Sequence, residues 1–374
     1  MNYISILFVL FMFLYACTDE NIINDASGRI PEAPEGKANI AVKFQSGSFN
    51  KPVTKATIHN DGDFDNPWVL SFKLPAGGAT TSDAVFVEAV PTKQIAGQMI
   101  VQLSVSNEPH VLYFVANADA MIMSKKESFS GKTYDEIAGL LTFGDPVSSG
   151  GAGLTPLSNP QGRIPFVNEK IPMTSMIRVD KIEKNMSLEQ VVNLSRIVSK
   201  LYIDATKANQ KNSFILTGFT VVDVPSVGYF DNMLPIDRVT PQEVVDYGTK
   251  DDTATRLSGL IISDIVGNTT KSDVSDRPVY VYPFLTGDNR GGEYGIILSG
   301  HFGNNIDRYF YVKLGGPKSS AQLNKPNVSY KINVESVENR GYATIEEALV
   351  NYQPGTGVVC RVTLLDDFHE LVAK

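Results

Sequence analysis

Ala38-Asn39-Ile40-Ala41-Val42-Lys43-Phe44 is the stretch whose reading decides the fold class. Its apolar residues Ala38, Ile40, Val42 and Phe44 occupy every second position, the period of a strand with one face turned to a core. Towards the C-terminus the same signature returns at 68–72, 84–89, 99–105 and 111–116, then at 171–173, 177–179, 197–205 and 214–224. Later runs are 278–285, 294–299, 309–314, 329–334 and 358–365. Val, Ile, Tyr and Phe dominate these runs, and Gly, Asn, Asp and Pro separate them. Helix signals are few. Thr133-Tyr134-Asp135-Glu136 is a capping box ahead of Ile137, Leu140 and Leu141, Thr344-Ile345-Glu346-Glu347 is another ahead of Ala348-Leu349-Val350, and 188–194 is a weaker helical stretch. The pattern predicts an all-β protein of two β-sandwiches with a few short helices. The polar run 207–212 marks the boundary, giving domains at 37–210 and 211–374.

A length of 374 residues agrees with two domains, because single cores stop growing near ~250–300 residues. Apolar residues make up 43% of the chain, enough for packed cores, and the net charge is −8. An acidic surface repels phosphate backbones, which excludes nucleic acid as a partner. Residues 4–14 form an apolar run interrupted only by Ser5. As a helix it would reach about 17 Å, short of the ~30 Å hydrocarbon core of a bilayer, so it reads as a signal peptide. It ends in Leu14-Tyr15-Ala16-Cys17, which resembles the lipobox of bacterial lipoproteins. On that reading 1–16 is the signal peptide, cleavage falls between Ala16 and Cys17, Cys17 carries the lipid (palmitate included), and 17–36 is a tether. Tyr15 is bulky for its place and no Lys or Arg precedes the run, so an ordinary secretory signal with an incidental cysteine is the alternative. Thr18-Asp19-Glu20 resembles the surface-export signal of Bacteroidetes lipoproteins, implying a surface-exposed protein of the cell outer membrane. Cys360 is then the sole remaining thiol, so no disulfide framework is expected, and its place in an alternating run reads as a small core side chain.

Catalytic patterns are missing. His59, His110, His301 and His369 lie at no metal-ligand spacing, and there is no Gly-x-Ser-x-Gly elbow. Gly131-Lys132-Thr133 imitates the end of a phosphate-binding loop, but Lys126 stands where the first glycine belongs. Asp61, Asp63 and Asp65 alternate as in a calcium loop, yet Asn66 and Phe72 replace the glycine and glutamate it needs. No enzyme and no cofactor or metal is expected.

Val111-Leu112-Tyr113-Phe114-Val115-Ala116-Asn117-Ala118-Asp119-Ala120 and Gly131-Lys132-Thr133-Tyr134-Asp135-Glu136-Ile137-Ala138-Gly139-Leu140 carry a more specific likeness. Ile171-Pro172-Met173-Thr174, Leu194-Ser195-Arg196-Ile197-Val198-Ser199-Lys200-Leu201 and 214–230 follow in the same order. Together they resemble the fimbrillin family of Bacteroidetes, the type V pilins. A strand ending Ala-Asn before a capped helix and an L-x-R-x-x-A-[KR] strand are its marks, with Val198-Ser199 departing from the latter. The resemblance implies two transthyretin-like sandwiches, export as a lipoprotein, and polymerisation by donor-strand exchange into a pilus serving cell adhesion. In that family a protease cuts after the first strand, and a neighbour's strand fills the groove that is left. Residues 37–55, with Ile40, Val42 and Phe44 facing inward, would be the removed strand. Lys55-Ala56 would be the cut, or Lys55 is an ordinary loop lysine. Val358, Cys360, Val362 and Leu364 within 357–367 would form the donor strand, or an ordinary edge strand. The implied partners are other fimbrial subunits, self, tip or anchor, and a host or bacterial surface ligand. A monomeric surface lipoprotein binding glycan or host ligand is the alternative, since Tyr280, Tyr282, Tyr309 and Tyr311 alternate as an aromatic stripe would. A basal fimbrial anchor, left uncut, is another.

Overall fold

The computed structural model describes residues 32–46, 62–75, 80–95, 97–143, 170–184, 186–188, 190–222, 228–230, 261–263, 279–281, 295–303, 306–313, 326–351 and 357–365. β1 (Lys37–Val42) and β2 (Phe44–Ser46) are one extended run interrupted at Lys43. β3 (Trp68–Lys73), β4 (Val85–Pro91), β5 (Lys93–Ile95), β6 (Gln98–Ser104) and β7 (His110–Ala116) follow. α1 (Asp119–Lys125) and α2 (Tyr134–Leu140) lead into β8 (Thr142–Phe143), β9 (Met173–Val179) and β10 (Val192–Arg196). The second half begins with β11 (Ser199–Asp204), α3 (Thr206–Asn212) and β12 (Phe214–Val222). It continues through β13 (Gly228–Tyr229), β14 (Ile261–Ser263), β15 (Val279–Val281), β16 (Gly295–Phe302), β17 (Arg308–Lys313), β18 (Ser329–Val337), α4 (Ile345–Val350) and β19 (Val358–Leu365). The chain is all-β, with short helices only among the described residues.

In the first sandwich the strand orders are β1-β6-β5 and β2-β10-β9-β7-β3-β4. β1 runs on into β2, and β4 runs on through Thr92 into β5, so each sheet hands a strand to the other at both edges. The first sandwich therefore closes on itself like a barrel, which removes most of its free edge. β7 lies at its centre and is buried along its whole length. Leu112, Phe114 and Ala116 face the space between the sheets, with Ile40, Val101 and Leu103. Val111, Tyr113 and Val115 face the opposite way, onto Phe72, Phe129, Tyr134 and Ile137 beneath the helices. Burial on both faces is why 110–116 reads as a continuous apolar run. Thr133 caps α2 reciprocally: its Oγ1 accepts from the Glu136 N–H at 3.4 Å, and its own N–H donates to Glu136 Oε2 at 2.8 Å. The apparent phosphate loop is thus a helix start.

The second sandwich packs β15-β11-β18-β19 on β14-β12-β16-β17. Leu201, Ile203, Phe214, Leu298, Phe310 and Ile332 fill the space between them. Gly300 has no side chain because a Cβ there would run into the Phe214 ring. α4 lies on the outer face of β16 and β17, so Tyr311 is packed against Ala348 and Leu349 and does not line an open stripe.

Two sequence expectations need correction. Residues 188–194 carry β10, not a helix, because Val192 and Leu194 are pulled into the first core beside β2. The run 197–205 is not one strand: Ile197 and Val198 bend within the first core, and β11 begins at Ser199 in the other sandwich. The sheets change hands between Arg196 and Ser199, near the polar run 207–212. The polar run 207–212 is α3, which turns Ala208 into the second core and lies along β18. A helix with one buried alanine face can be otherwise polar, which is why its sequence reads as a polar run.

The halves are also tied by a return crossing. β13 pairs with β8, and Phe230 is fully buried in the first sandwich. Its carbonyl accepts from Thr174 Oγ1 at 3.1 Å, and its N–H donates to the Leu141 carbonyl at 3.2 Å.

Candidate functional site

The functional candidate is the seam occupied by residues 37–46. On one side β1 pairs antiparallel with β6 over its full length, from Lys37 opposite Ser104 to Val42 opposite Met99. On the other side the Ala41 N–H donates to the Met186 carbonyl at 3.2 Å, and the Leu188 N–H donates to the Ala41 carbonyl at 3.0 Å. Further along, the Val192 N–H donates to the Lys43 carbonyl at 2.8 Å, and β2 pairs parallel with β10, Phe44 opposite Val192 and Ser46 opposite Leu194. One extended segment thus satisfies two strand edges at once.

Its inward residues are those the sequence singled out. Ala38, Ile40 and Val42 are buried among Val101, Leu103, Leu112 and Leu188. Phe44 stacks edge-on against Phe114 at 5.4 Å and Phe64 at 6.1 Å. Burying Ile40 and Val42 contributes about 1.5–3 kcal/mol each. The start of the segment is pinned by charge. Lys37 Nζ donates to Glu88 Oε2 at 2.7 Å and to Ser104 Oγ at 3.0 Å, and the Ser104 N–H donates to Glu88 Oε1 at 2.5 Å. Sequence reading passed over Glu88; its one signal is a charge inside the apolar run 85–90.

The other proposed site residues are scattered. Ala16, Cys17, Lys55 and Ala56 lie outside the described residues. β19 pairs antiparallel with β18 through a bulge near Ser336, and the backbones of Val362 and Leu364 continue that ladder. Val358 and Cys360 pack against the second core, so this strand belongs to its own sandwich here. Burial, with Glu335 nearby, pushes the Cys360 thiol up to about 12. The thiolate is the reactive form, so alkylation at pH 8 of protein beginning at Thr18 should be at least about a hundred-fold slower folded than in urea. Equal rates, read by mass, would place the thiol outside the core.

Phe64, which packs on Phe44, is carried by backbone that Asn117, at φ 59°, holds in place. The Asn117 amide donates to the carbonyls of Asp63 and Ile171 at 2.9 and 2.7 Å, and its Oδ1 accepts from the Asp65 N–H at 3.0 Å. Asp63 and Asp65 of the alternating acidic stretch are held by this asparagine and, at Asp65, by an ion pair with Lys170. Trp68 is buried and donates to Asp119 at 2.9 Å, a packing role. His110 is buried with Nδ1 2.9 Å from Ser71 Oγ, and desolvation pushes it below its ordinary 6.5. His301 Nδ1 is 2.5 Å from Asp307 Oδ1. No cluster of three metal-ligating side chains occurs among the described residues, and no described helix is long and apolar enough to cross a membrane.

No protein-family model matches the chain, and no curated protein matches it. Solved structures do. A protein assigned to cell adhesion from Parabacteroides distasonis ATCC 8503 superposes with a TM-score of 0.51 at 13% identity, covering 88% of this chain and 98% of that one. The tip fimbrial protein Mfa3 from Porphyromonas gingivalis, truncated at its C-terminus, gives 0.46 at 12% identity over 87% and 99% of the two chains. A fimbrilin from Porphyromonas gingivalis W83 gives 0.45 at 12% identity over 87% and 97%. At 13% identity the first of these is a likeness of fold, over 88% of this chain.

Proposed function

We propose that the protein is a structural subunit of a bacterial surface fimbria that serves cell adhesion. It is exported as a lipoprotein through Cys17 and held at the cell outer membrane. It is matured by cleavage at Lys55-Ala56, which lies between β2 and β3 in the sequence. It then joins a neighbouring subunit by strand insertion. The observation that supports this reading is that one segment, 37–46, closes both edges of the seam and fills its apolar floor. Taking it away bares a row of N–H and C=O groups on β6 and β10 above a slot with alternate side-chain pockets, the physical requirements for β-augmentation. A strand arriving from a neighbour makes a head-to-tail contact that need not close, and so extends an assembly. β19 is the strand the subunit offers in turn.

The test is to treat soluble precursor, beginning at Thr18, with a trypsin-like protease and then add a labelled peptide of residues 37–46. We expect one cut after Lys55, followed by uptake of the peptide by cut protein and none by uncut protein. Absence of the cut would overturn the maturation step. A clean cut with no uptake would overturn strand insertion and favour a monomeric surface binder.

A further inference from the structure

Glu88 belongs to one sheet and is used by the other. It sits on β4 opposite Ser71 of β3, yet its carboxylate reaches across to β6 and β1. Its side chain is only 16% exposed. Ser104 is the last residue of β6, where the ladder with β1 ends, and its N–H turns to Glu88 for an acceptor. Lys37, the first residue of β1, supplies the cation. Both oxygens are therefore engaged, one by a strand that stays and one by the strand proposed to leave.

Other charges nearby cannot replace Lys37. His110 stands close enough to feel Glu88 but is held neutral by burial, and Lys73 is paired with Glu108. Once 37–46 departs, Glu88 is a half-desolvated carboxylate with a single N–H donor, an arrangement that costs free energy until a cation returns. This cost falls at one end of the slot, and so it also defines register.

Resting on the seam reading, we infer that Glu88 selects the incoming strand: it must carry Lys or Arg immediately before its first inward apolar residue. This chain's own β19 does not meet that demand. Setting Val358, Cys360, Val362 and Leu364 on the pockets of Ala38, Ile40, Val42 and Phe44 places Gly357 at the position of Lys37. Arg361 is the only basic residue of 357–367, and bringing it to that position drops Asp366 into the buried pocket of Val42. One frame leaves Glu88 unpaired, and the other buries a carboxylate in an apolar slot. The seam is thus fitted to a strand of a different subunit with a basic first residue, not to a second copy of this chain.

Protein cut after Lys55 provides the test, with four labelled peptides competing for the seam. These are 37–46, the same peptide with Lys37→Ala, 357–367, and the latter with Gly357→Lys. We expect Lys37→Ala to weaken uptake about ten-fold and Gly357→Lys to strengthen it about ten-fold. Both differences should vanish in protein carrying Glu88→Gln. A Glu88→Lys protein should prefer a Lys37→Glu peptide, which keeps the test open if one variant folds poorly. Equal uptake of basic and non-basic peptides would overturn the selection while upholding the seam. So would a boil-sensitive ladder formed by the cut protein alone. Failure of every peptide to bind would overturn the seam and this inference together.

Discussion

Ile40→Asp releases the first strand from the seam. The side chain at this position has no exposed surface and is enclosed by Val101, Leu103 and Leu112. Losing the isoleucine costs about 2–5 kcal/mol in transfer and cavity terms, and a carboxylate with no partner adds several kcal/mol more. The total, at least about 4 kcal/mol, rivals the stability of a whole domain. The segment should therefore become open to proteases that spare it in the parent protein, and the first sandwich should unfold at markedly lower urea. Gln45→Asp, at an exposed position of the same segment, is the control and should change little. An Ile40→Asp protein with an unchanged urea midpoint and an intact N-terminal segment would mean that the strand does not close the core.

Arg196→Ala is expected to uncouple the two sandwiches. Arg196 ends β10, has no exposed surface, and points at the second half of the chain. Its Nη1 donates to Asn327 Oδ1 at 2.7 Å, and its backbone N–H donates to the same oxygen at 3.2 Å. The Asn327 N–H in turn donates to the Val198 carbonyl at 2.9 Å. Removing a charged donor of this kind costs about 1.5–3 kcal/mol for its hydrogen bond alone, and losing the buried stem raises the cost to about 3 kcal/mol or more. Asn327 sits at φ 60°, so Asn327→Gly keeps the backbone at ease while deleting the acceptor, and should cost less. Calorimetry should resolve two transitions in Arg196→Ala and a single coupled one in the parent. A single transition at the parent temperature would locate the coupling elsewhere, with Phe230 the next residue to replace.

The alternation of Ala38, Ile40, Val42 and Phe44 was legible, and these residues do line one face of a core. So were both N-caps, which need only neighbouring residues: Thr133 and Glu136 close a reciprocal box, whereas at Thr344 only the hydroxyl half forms and Glu347 accepts from the Ala343 N–H instead. The misread stretch 188–194 shows the opposite situation. Its short apolar run fits either period, and the side of β2 on which it landed settled the matter. Tyr311 fits a recognition stripe by spacing alone, and only α4 packing over it assigned it to a core. Cys360 packs against the second core but is only half-buried, so its alternating neighbours marked the strand and not its depth.

What the sequence determined by itself was the class of the protein: all-β, two sandwiches, short capped helices, and an inward face for the first strand. These properties are set by residues one to four positions apart, where periodicity and capping act. Tertiary structure alone decided that this first strand belongs to two sheets at once, that Lys37 meets Glu88 across 51 positions, and that Arg196 meets Asn327 across 131. Such meetings depend on how the loops close and which edges remain to be satisfied. A lone charge in an apolar run carries no periodic mark of the partner that will neutralise it.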